Sequence, residues 1–319
     1  MKLTRVGDGP VLKPRKHVAW EHSAVLNAAA IHADGKFHLF YRGVAHYPGA
    51  RNRSSIGHAW SEDGVRFERD DEPILRHGTR PENSVGVEDP RIVRLGDTYY
   101  LTYVMWNEKV TNIGLAMSKD LFTWEDRGVL FGYPLFGNNK NATLWPERID
   151  GRYALVHRPM GFAWGEESGP LDMWLSLSPD LKNWRGHRRL LRARRGEVDW
   201  EYRKIGLGAP PFKTDAGWLM VYHAVDRKMV YRLGLALLDL KNPTKVIKRT
   251  DEPILQPEAD WETQGDVSNV VFTCGAVLLG TELWVYYGGA DTVIGLAKGD
   301  VGEFLRPSYE VPPHFTGGR

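Results

Sequence analysis

Arg42, Arg158 and His223 stand at or beside the last position of three similar hairpin sequences, DGKFHLFYRG, DGRYALVHRP and AGWLMVYHAV. If the repeats surround an axis, these cationic or potentially cationic groups converge on one place, and that place suits an anion. Phosphate is the anion that guanidinium forks and lysine point charges most commonly hold. A second set of polar residues lies in the apolar runs that precede the hairpins: Asn27, Glu88-Asp89, Asn141 and Asn269. Strand interiors disfavour these residue types. Their concentration on what would be the innermost strands implies a polar, ligand-binding axis.

The elements that must position them are read from the repeat. Besides the three hairpins above, GDTYYLTYVM at 96–105 and GTELWVYYGG at 280–289 pair a turn glycine with an aromatic-rich alternating run. Aligned on Tyr41, Tyr103, His157, Tyr222 and Tyr286, the copies recur about every 60 residues. A repeat of short strands cannot bury both faces of its own small sheet and must stack on its neighbours, which radial closure achieves. The expectation is an all-β fold, a five-bladed β-propeller forming a single catalytic domain over residues 1–319 with a central axial active site. Ser61-Glu62-Asp63, Ser118-Lys119-Asp120 and Ser178-Pro179-Asp180 read as one recurring turn whose side chains bond the backbone two residues on. EPIL closes an outer strand at 72–75 and again at 252–255. The similar Pro10-Val11-Leu12 has no preceding blade, so it is expected to complete the last blade and close the ring.

Composition narrows the class. A net charge of +2 gives no support for nucleic-acid binding, and the basic run at 188–195 reads as a solvated outer strand. With Cys274 as the single cysteine, no intramolecular disulfide can form. No run approaches the roughly 18 apolar residues of a membrane span, and the first residues lack the apolar stretch of a secretory signal. A cytoplasmic protein without membrane attachment is expected. The histidines lack the close spacing of zinc sites, so no metal and no cofactor are expected. Exposed blade edges leave room for a homo-oligomer.

VEDPRI at 87–92, KNATLWPERIDGRYALVHRP at 140–159, KIGLGAPP at 204–211, YHAVD at 222–226, YRLGLALLDL at 231–240 and YYGGAD at 286–291 resemble glycoside hydrolase family 130. The match runs in register from about residue 20 to 297. It implies a five-bladed propeller acting on β-mannosides, most of whose relatives are inverting phosphorylases that release α-mannose 1-phosphate. By the same resemblance Asp89 is the catalytic acid, protonating the glycosidic oxygen through a mannose hydroxyl. Asn27, Arg42 and Asp291 hold the mannose, with Glu88 beside them, and Lys140, Arg158, His223 and Tyr231 bind phosphate. Arg51 or Arg53 is a candidate to complete that set. Lys140 stands where many members carry arginine, which keeps the charge and gives up a bidentate grip.

One acid without a partner base is chemically sound. An inverting hydrolase needs a second carboxylate roughly 6.5–9.5 Å away to deprotonate water. Phosphate, the co-substrate, is already an anion and needs cations to orient it. The expected substrates are therefore a β-manno-oligosaccharide and inorganic phosphate. Strand alternation would turn Glu88 away from the face used by Asp89, and Arg91 either orients the acid or pairs with it. A hydrolase of the same family, with Glu201 as the base, and a non-catalytic sugar-binding propeller are the alternatives. Of 12 tryptophans, Trp60, Trp124, Trp184, Trp218 and Trp284 sit at repeated blade positions and read as core. Trp106, Trp145 and Trp164 are candidates for stacking an acceptor sugar, and segment 160–170 for shaping its subsites.

Overall fold

The computed structural model describes residues 1–46, 51–161 and 171–306. Within them the alternating aromatic and aliphatic runs form antiparallel strands in five successive units. The first contains Ala24–Ala33, Lys36–Ala45, Arg53–Ser61 and Glu68–Arg69. Gly86–Leu95, Thr98–Trp106, Thr111–Ser118 and Glu125–Phe131 make the second. The third holds Asn138–Leu144, Tyr153–Gly161, Met173–Ser178 and Arg185–Leu191. Lys204–Leu207, Gly217–Val225, Tyr231–Leu238 and Val246–Arg249 form the fourth, with Phe212–Thr214 beside its second strand. In the fifth, Val271–Leu279, Glu282–Gly289 and Val293–Asp300 are joined by Thr4–Arg5 from the other end of the chain. No helix among the described residues is long and apolar enough to cross a membrane.

The N-terminal segment does add to the last unit, although its outermost strand is Thr4–Arg5, paired with Lys298 and Ala297, not Pro10-Val11-Leu12. Leu12 instead makes an antiparallel bridge to Ile294. Leu75 and Leu255, the last residues of the two EPIL segments, bridge Ile56 and Leu233 in the same way. The Ser-X-Asp turns form as expected: Asp63, Asp120 and Asp180 each accept two backbone N–H bonds from residues two and three ahead.

A cross-strand pairing explains why the hairpins look alike. Tyr41, Tyr103, Tyr222 and Tyr287 lie opposite Gly57, Gly114, Gly234 and Gly295. The aromatic ring lies over the glycine, where a Cβ would collide with it: at Gly234 that carbon would fall 2.6 Å from the Tyr222 ring. This register makes Tyr287, one residue after Tyr286, the fifth copy of the repeat. A Trp-Glu dipeptide completes the pattern. Trp20, Trp200 and Trp261 stack on Tyr41, Tyr222 and Tyr287 with ring centroids 5.8, 5.6 and 5.7 Å apart. The adjoining Glu21, Glu201 and Glu262 accept the tyrosine hydroxyl at 2.6, 2.8 and 2.7 Å. Each carboxylate is fully buried and is neutralised by arginine.

Apolar packing runs between units, as stacking of small sheets requires. Separate buried clusters join the first unit to the second, the second to the third, the third to the fourth and the fourth to the fifth. A further cluster joins the fifth unit to the first, through Val277, Trp284, Tyr286, Val25 and Leu39. The first strands of these two units approach so closely that a Cβ on Gly275 would lie 2.2 Å from the Ala30 nitrogen.

Candidate active site

Three first strands share an irregularity at one level. Pairing registers slip between Leu26 and Ala29, between Glu88 and Arg91, and between Lys140 and Thr143. The first looped-out residue in each is left-handed: Asn27 at φ 52°, Asp89 at φ 49° and Asn141 at φ 54°. Asn and Asp tolerate this conformation because their short polar side chains bond locally, and bulges re-aim side chains next to functional sites. The residues that strands disfavour are thus the ones the bulges need.

The bulges, the second strands and the segments beside them bring the proposed acid and the main sugar- and phosphate-binding residues into one cavity of about 340 Å³. Asp89, Asn27, Arg42, Glu88, Asp291, Lys140, Arg158, His223 and Tyr231 all line it. A second cavity of about 280 Å³, at the far ends of the first strands, is walled mainly by Ile31, Ile92, Val93, Pro210, Phe212 and Val277. It offers no converging acids and cations, so the polar cavity is the candidate site.

On one side Arg42 organises the acids. Its guanidinium donates to Glu88 Oε1 at 2.7 Å and lies 3.6 Å from Asp89 Oδ1, which also accepts the Asn27 amide at 2.8 Å. Burial opposes ionisation of Asp89, but Arg42, the Asn27 bond, Lys140 and Arg91 outweigh it and hold this carboxyl below the usual range. Asp291 goes the other way. Burial, relieved incompletely by Arg42 and reinforced by Asp89, Asp266 and Glu88, pushes it up to about 7.

The opposite side is basic and aromatic. Arg158 pairs across strands with Lys140, and its Nη1 lies 3.5 Å from His223 Nε2. Asn141 donates to the same imidazole nitrogen at 3.1 Å. His223, Tyr231 and Phe272 pack their rings together, His223 to Phe272 at 4.5 Å between centroids. Lys140 stands between the two sides, 3.9 Å from Glu88 Oε2.

Several sequence expectations are corrected. His223 is not a cation at neutral pH, because burial and then the charges of Arg158, Arg91 and Lys204 hold its pKa well below the ordinary value. Glu88 faces the same cavity as Asp89, since the bulge at Asp89-Pro90 breaks the alternation. Asn269 is exposed, ahead of its strand, where its carbonyl accepts the Tyr231 N–H. Glu201 is away from the cavity, held by Tyr222, Arg194 and Arg249. Arg51 and Arg53 do not line the site; the former lies 3.8 Å from Glu108 and the latter donates to the Ser84 carbonyl. Trp145 is buried edge-on against Trp218, and Trp106 does not line the cavity; Trp164 lies outside the described residues.

Sequence reasoning missed Lys204, which lines the cavity and sits 5.8 Å from the Tyr231 ring. Its place at the head of a first strand, in KIGLGAPP, was the available signal. The sequence shows Asn141 only as a polar strand residue, and Met160, Val270 and Phe272 supply the apolar wall.

The chain is similar to known proteins over nearly its whole length. The model of glycoside hydrolase family 130, described as beta-1,4-mannooligosaccharide phosphorylase, matches residues 5–310. A 1,2-beta-oligomannan phosphorylase of Thermoanaerobacter sp. (strain X514) is 44% identical over 303 residues, covering 93% of this chain and 97% of the relative. A beta-1,2-mannobiose phosphorylase of the same organism is 44% identical over 308 residues, covering 93% and 96%. The solved beta-1,2-mannobiose phosphorylase from Listeria innocua, in complex with beta-1,2-mannobiose, superposes with a TM-score of 0.84 at 30% identity over 96% of this chain and 98% of that one. The bulged acid, the arginine beside it and the basic wall opposite therefore stand in a chain that belongs to glycoside hydrolase family 130.

Proposed function

We propose that this protein is an inverting β-mannoside phosphorylase, transferring a terminal mannosyl unit to inorganic phosphate and releasing α-mannose 1-phosphate. The observation that carries the reading is the division of one cavity into an acid-bearing side, Asn27, Arg42, Glu88, Asp89 and Asp291, and a basic side, Lys140, Arg158 and Lys204 with neutral His223 and Tyr231. A sugar bonded through its hydroxyls fits the first, and an oxyanion the second.

In this reading phosphate attacks the anomeric carbon as the bond to the glycosidic oxygen breaks, and that oxygen takes a proton originating on Asp89, relayed by a mannose hydroxyl. Attack from the opposite face inverts β to α. Phosphate needs no base, and fixing both reactants supplies much of the barrier reduction. Arg42 and Asn27 favour ionised Asp89 in the unliganded site. An arriving phosphate anion opposes that field by Coulomb repulsion and raises the proton affinity of the acid. In the reverse direction the resting carboxylate is already the base that accepts the acceptor's proton.

The fold reading that goes with this function is a closed, single-domain five-bladed propeller over residues 1–319. It is supported by the five antiparallel units, the cluster joining the fifth to the first and the addition of Thr4–Arg5 to the last. We assign β-1,2-linked manno-oligosaccharides as substrate, since the relatives at 44% identity carry names with that linkage. The reaction needs no metal or organic cofactor. A cytoplasmic location accords with a fold whose lone cysteine, Cys274, is buried and free.

Incubation with β-1,2- and β-1,4-mannobiose, with and without inorganic phosphate, tests the function. Mannose 1-phosphate formed only with phosphate, and faster from the β-1,2 substrate, is expected. Free mannose released at the same rate without phosphate would make the protein a hydrolase. Asp89→Asn should abolish turnover with the fold intact, because Asn accepts the left-handed backbone.

A further inference from the structure

Among the described residues Arg91 is the largest charged side chain sealed from solvent, with 0% exposure. Its guanidinium does not pair with a carboxylate among the described residues. Nε donates to the Gly208 carbonyl at 2.8 Å, Nη2 to the Leu207 carbonyl at 2.7 Å and Nη1 to the Asp89 carbonyl at 3.2 Å. A buried cation bonded only to carbonyls, with the Asp89 carboxylate near enough to feel its charge but not paired with it, is expensive to maintain. Stability alone is a poor reason for it, because apolar residues of the same volume often do as well.

Its place supplies another reason. Asp89 belongs to the bulge of the second unit, whereas Leu207 and Gly208 belong to the first strand of the fourth and its continuation. That strand backs the basic side of the cavity: Gly206 pairs with His223, and a Cβ on Gly206 would fall 2.4 Å from the Asn141 amide and 2.5 Å from the imidazole. A guanidinium offers several donors in one rigid plane. Arg91 spends that plane tying the acid's own backbone to the strand beneath the anion's imidazole.

We infer that Arg91 is a positioning residue that fixes the distance between the acid Asp89 and the phosphate-binding side. The inference rests on the phosphorylase reading given above. Misplacement of reacting groups by about 1 Å costs on the order of 100-fold in rate without removing a binding contact. Arg91 touches the backbone and leaves the side chains that would hold sugar and phosphate in place. Its loss therefore acts on the reaction step.

The test compares wild type with Arg91→Lys and Arg91→Gln. Wild-type formation of mannose 1-phosphate is measured first, and its absence would refute the phosphorylase reading alone. Dissociation constants for methyl β-mannoside and for inorganic phosphate are then measured separately by calorimetry, alongside kcat. For Arg91→Lys we expect both constants within about threefold of wild type and kcat reduced at least tenfold, since a single ammonium cannot replace the planar fork. Arg91→Gln should lose more in kcat. Wild-type kcat in Arg91→Lys, or affinities that fall in step with kcat, would overturn the inference. If Arg91→Gln does not fold, Arg91→Lys carries the comparison; loss of fold in both would make Arg91 structural only. If wild type proves inactive with phosphate, the same kcat comparison is made on mannoside hydrolysis, where an acid misplaced relative to its nucleophile should again lose kcat before affinity.

Discussion

The Asn27 amide donates to Asp89 Oδ1 at 2.8 Å across two separate units, and both residues occupy left-handed positions in matching strand bulges. Bonds to a carboxylate are worth about 1.5–3 kcal/mol, and this one favours the ionised acid. Asn27→Gly removes the amide while suiting φ 52°. We expect kcat/KM to fall roughly 10- to 100-fold and the basic limb of its pH profile to move up, because Asp89 then holds its proton more tightly. A profile that drops without moving would show that Asn27 contacts the sugar only.

Arg158 lies on the side of the cavity away from the acids, next to His223 and across from Lys140. With Arg158→Ala, the KM for phosphate should rise at least tenfold and that for mannoside by less than threefold, the removed interaction being of the order of 1.4 kcal/mol or more. Steady-state kinetics with each substrate varied in turn decides the point. Equal rises in both constants would remove Arg158 from the anion site.

Much of this was legible because the repeat and its exceptions lie in short local patterns. Turn glycines, Ser-X-Asp turns and alternating aromatics mark the strands, and Asn27, Asp89 and Asn141 stand out as residues that strands disfavour. What a period-two reading cannot show is where the period slips. The bulge at Asp89-Pro90 returns Glu88 to the cavity, and the shift from Tyr286 to Tyr287 appears only once Gly295 is seen opposite. Glu201 resembled a base because carboxylates are conspicuous in sequence. Its arginine partners come from residues 194 and 249, the latter remote enough that only the folded chain joins them.

Burial and three neighbouring carboxylates raise Asp291 to about 7, whereas its unfolded value is about 3.9. The folded protein therefore binds this proton more tightly than the unfolded chain. That contribution to stability is complete below pH 4 and is lost as the pH rises through 7. Asp89, held low, contributes in the opposite sense, with stability lost only as the pH falls below the ordinary carboxylate range. Asp291→Asn mimics the protonated form and accepts φ 50°. Its Tm should match wild type near pH 4 and exceed it above pH 7, by a free energy on the order of 4 kcal/mol at most. Superimposable Tm curves from pH 4 to 8 would show that folding does not raise the pKa of Asp291.

Glu201 tests whether conspicuous carboxylates outside the cavity serve catalysis. It is fully buried, accepts the Tyr222 hydroxyl at 2.8 Å, and pairs with Arg194 at 2.8 Å and Arg249 at 2.7 Å. Replacing one member of a buried pair leaves the other charge uncompensated, at a cost of about 3–5 kcal/mol. Glu201→Gln keeps the shape and the acceptor for Tyr222 but leaves Arg249 without its counter-charge and Arg194 with Asp251 alone. Thermal unfolding should begin several degrees earlier than in wild type. At a temperature where the variant remains folded, phosphate-dependent turnover should stay within about twofold of wild type, because the hydrogen bonds and ion pairs of Glu201 go to Tyr222, Arg194 and Arg249, none of which lines the site. Loss of activity in a fully folded Glu201→Gln would restore it as a candidate base.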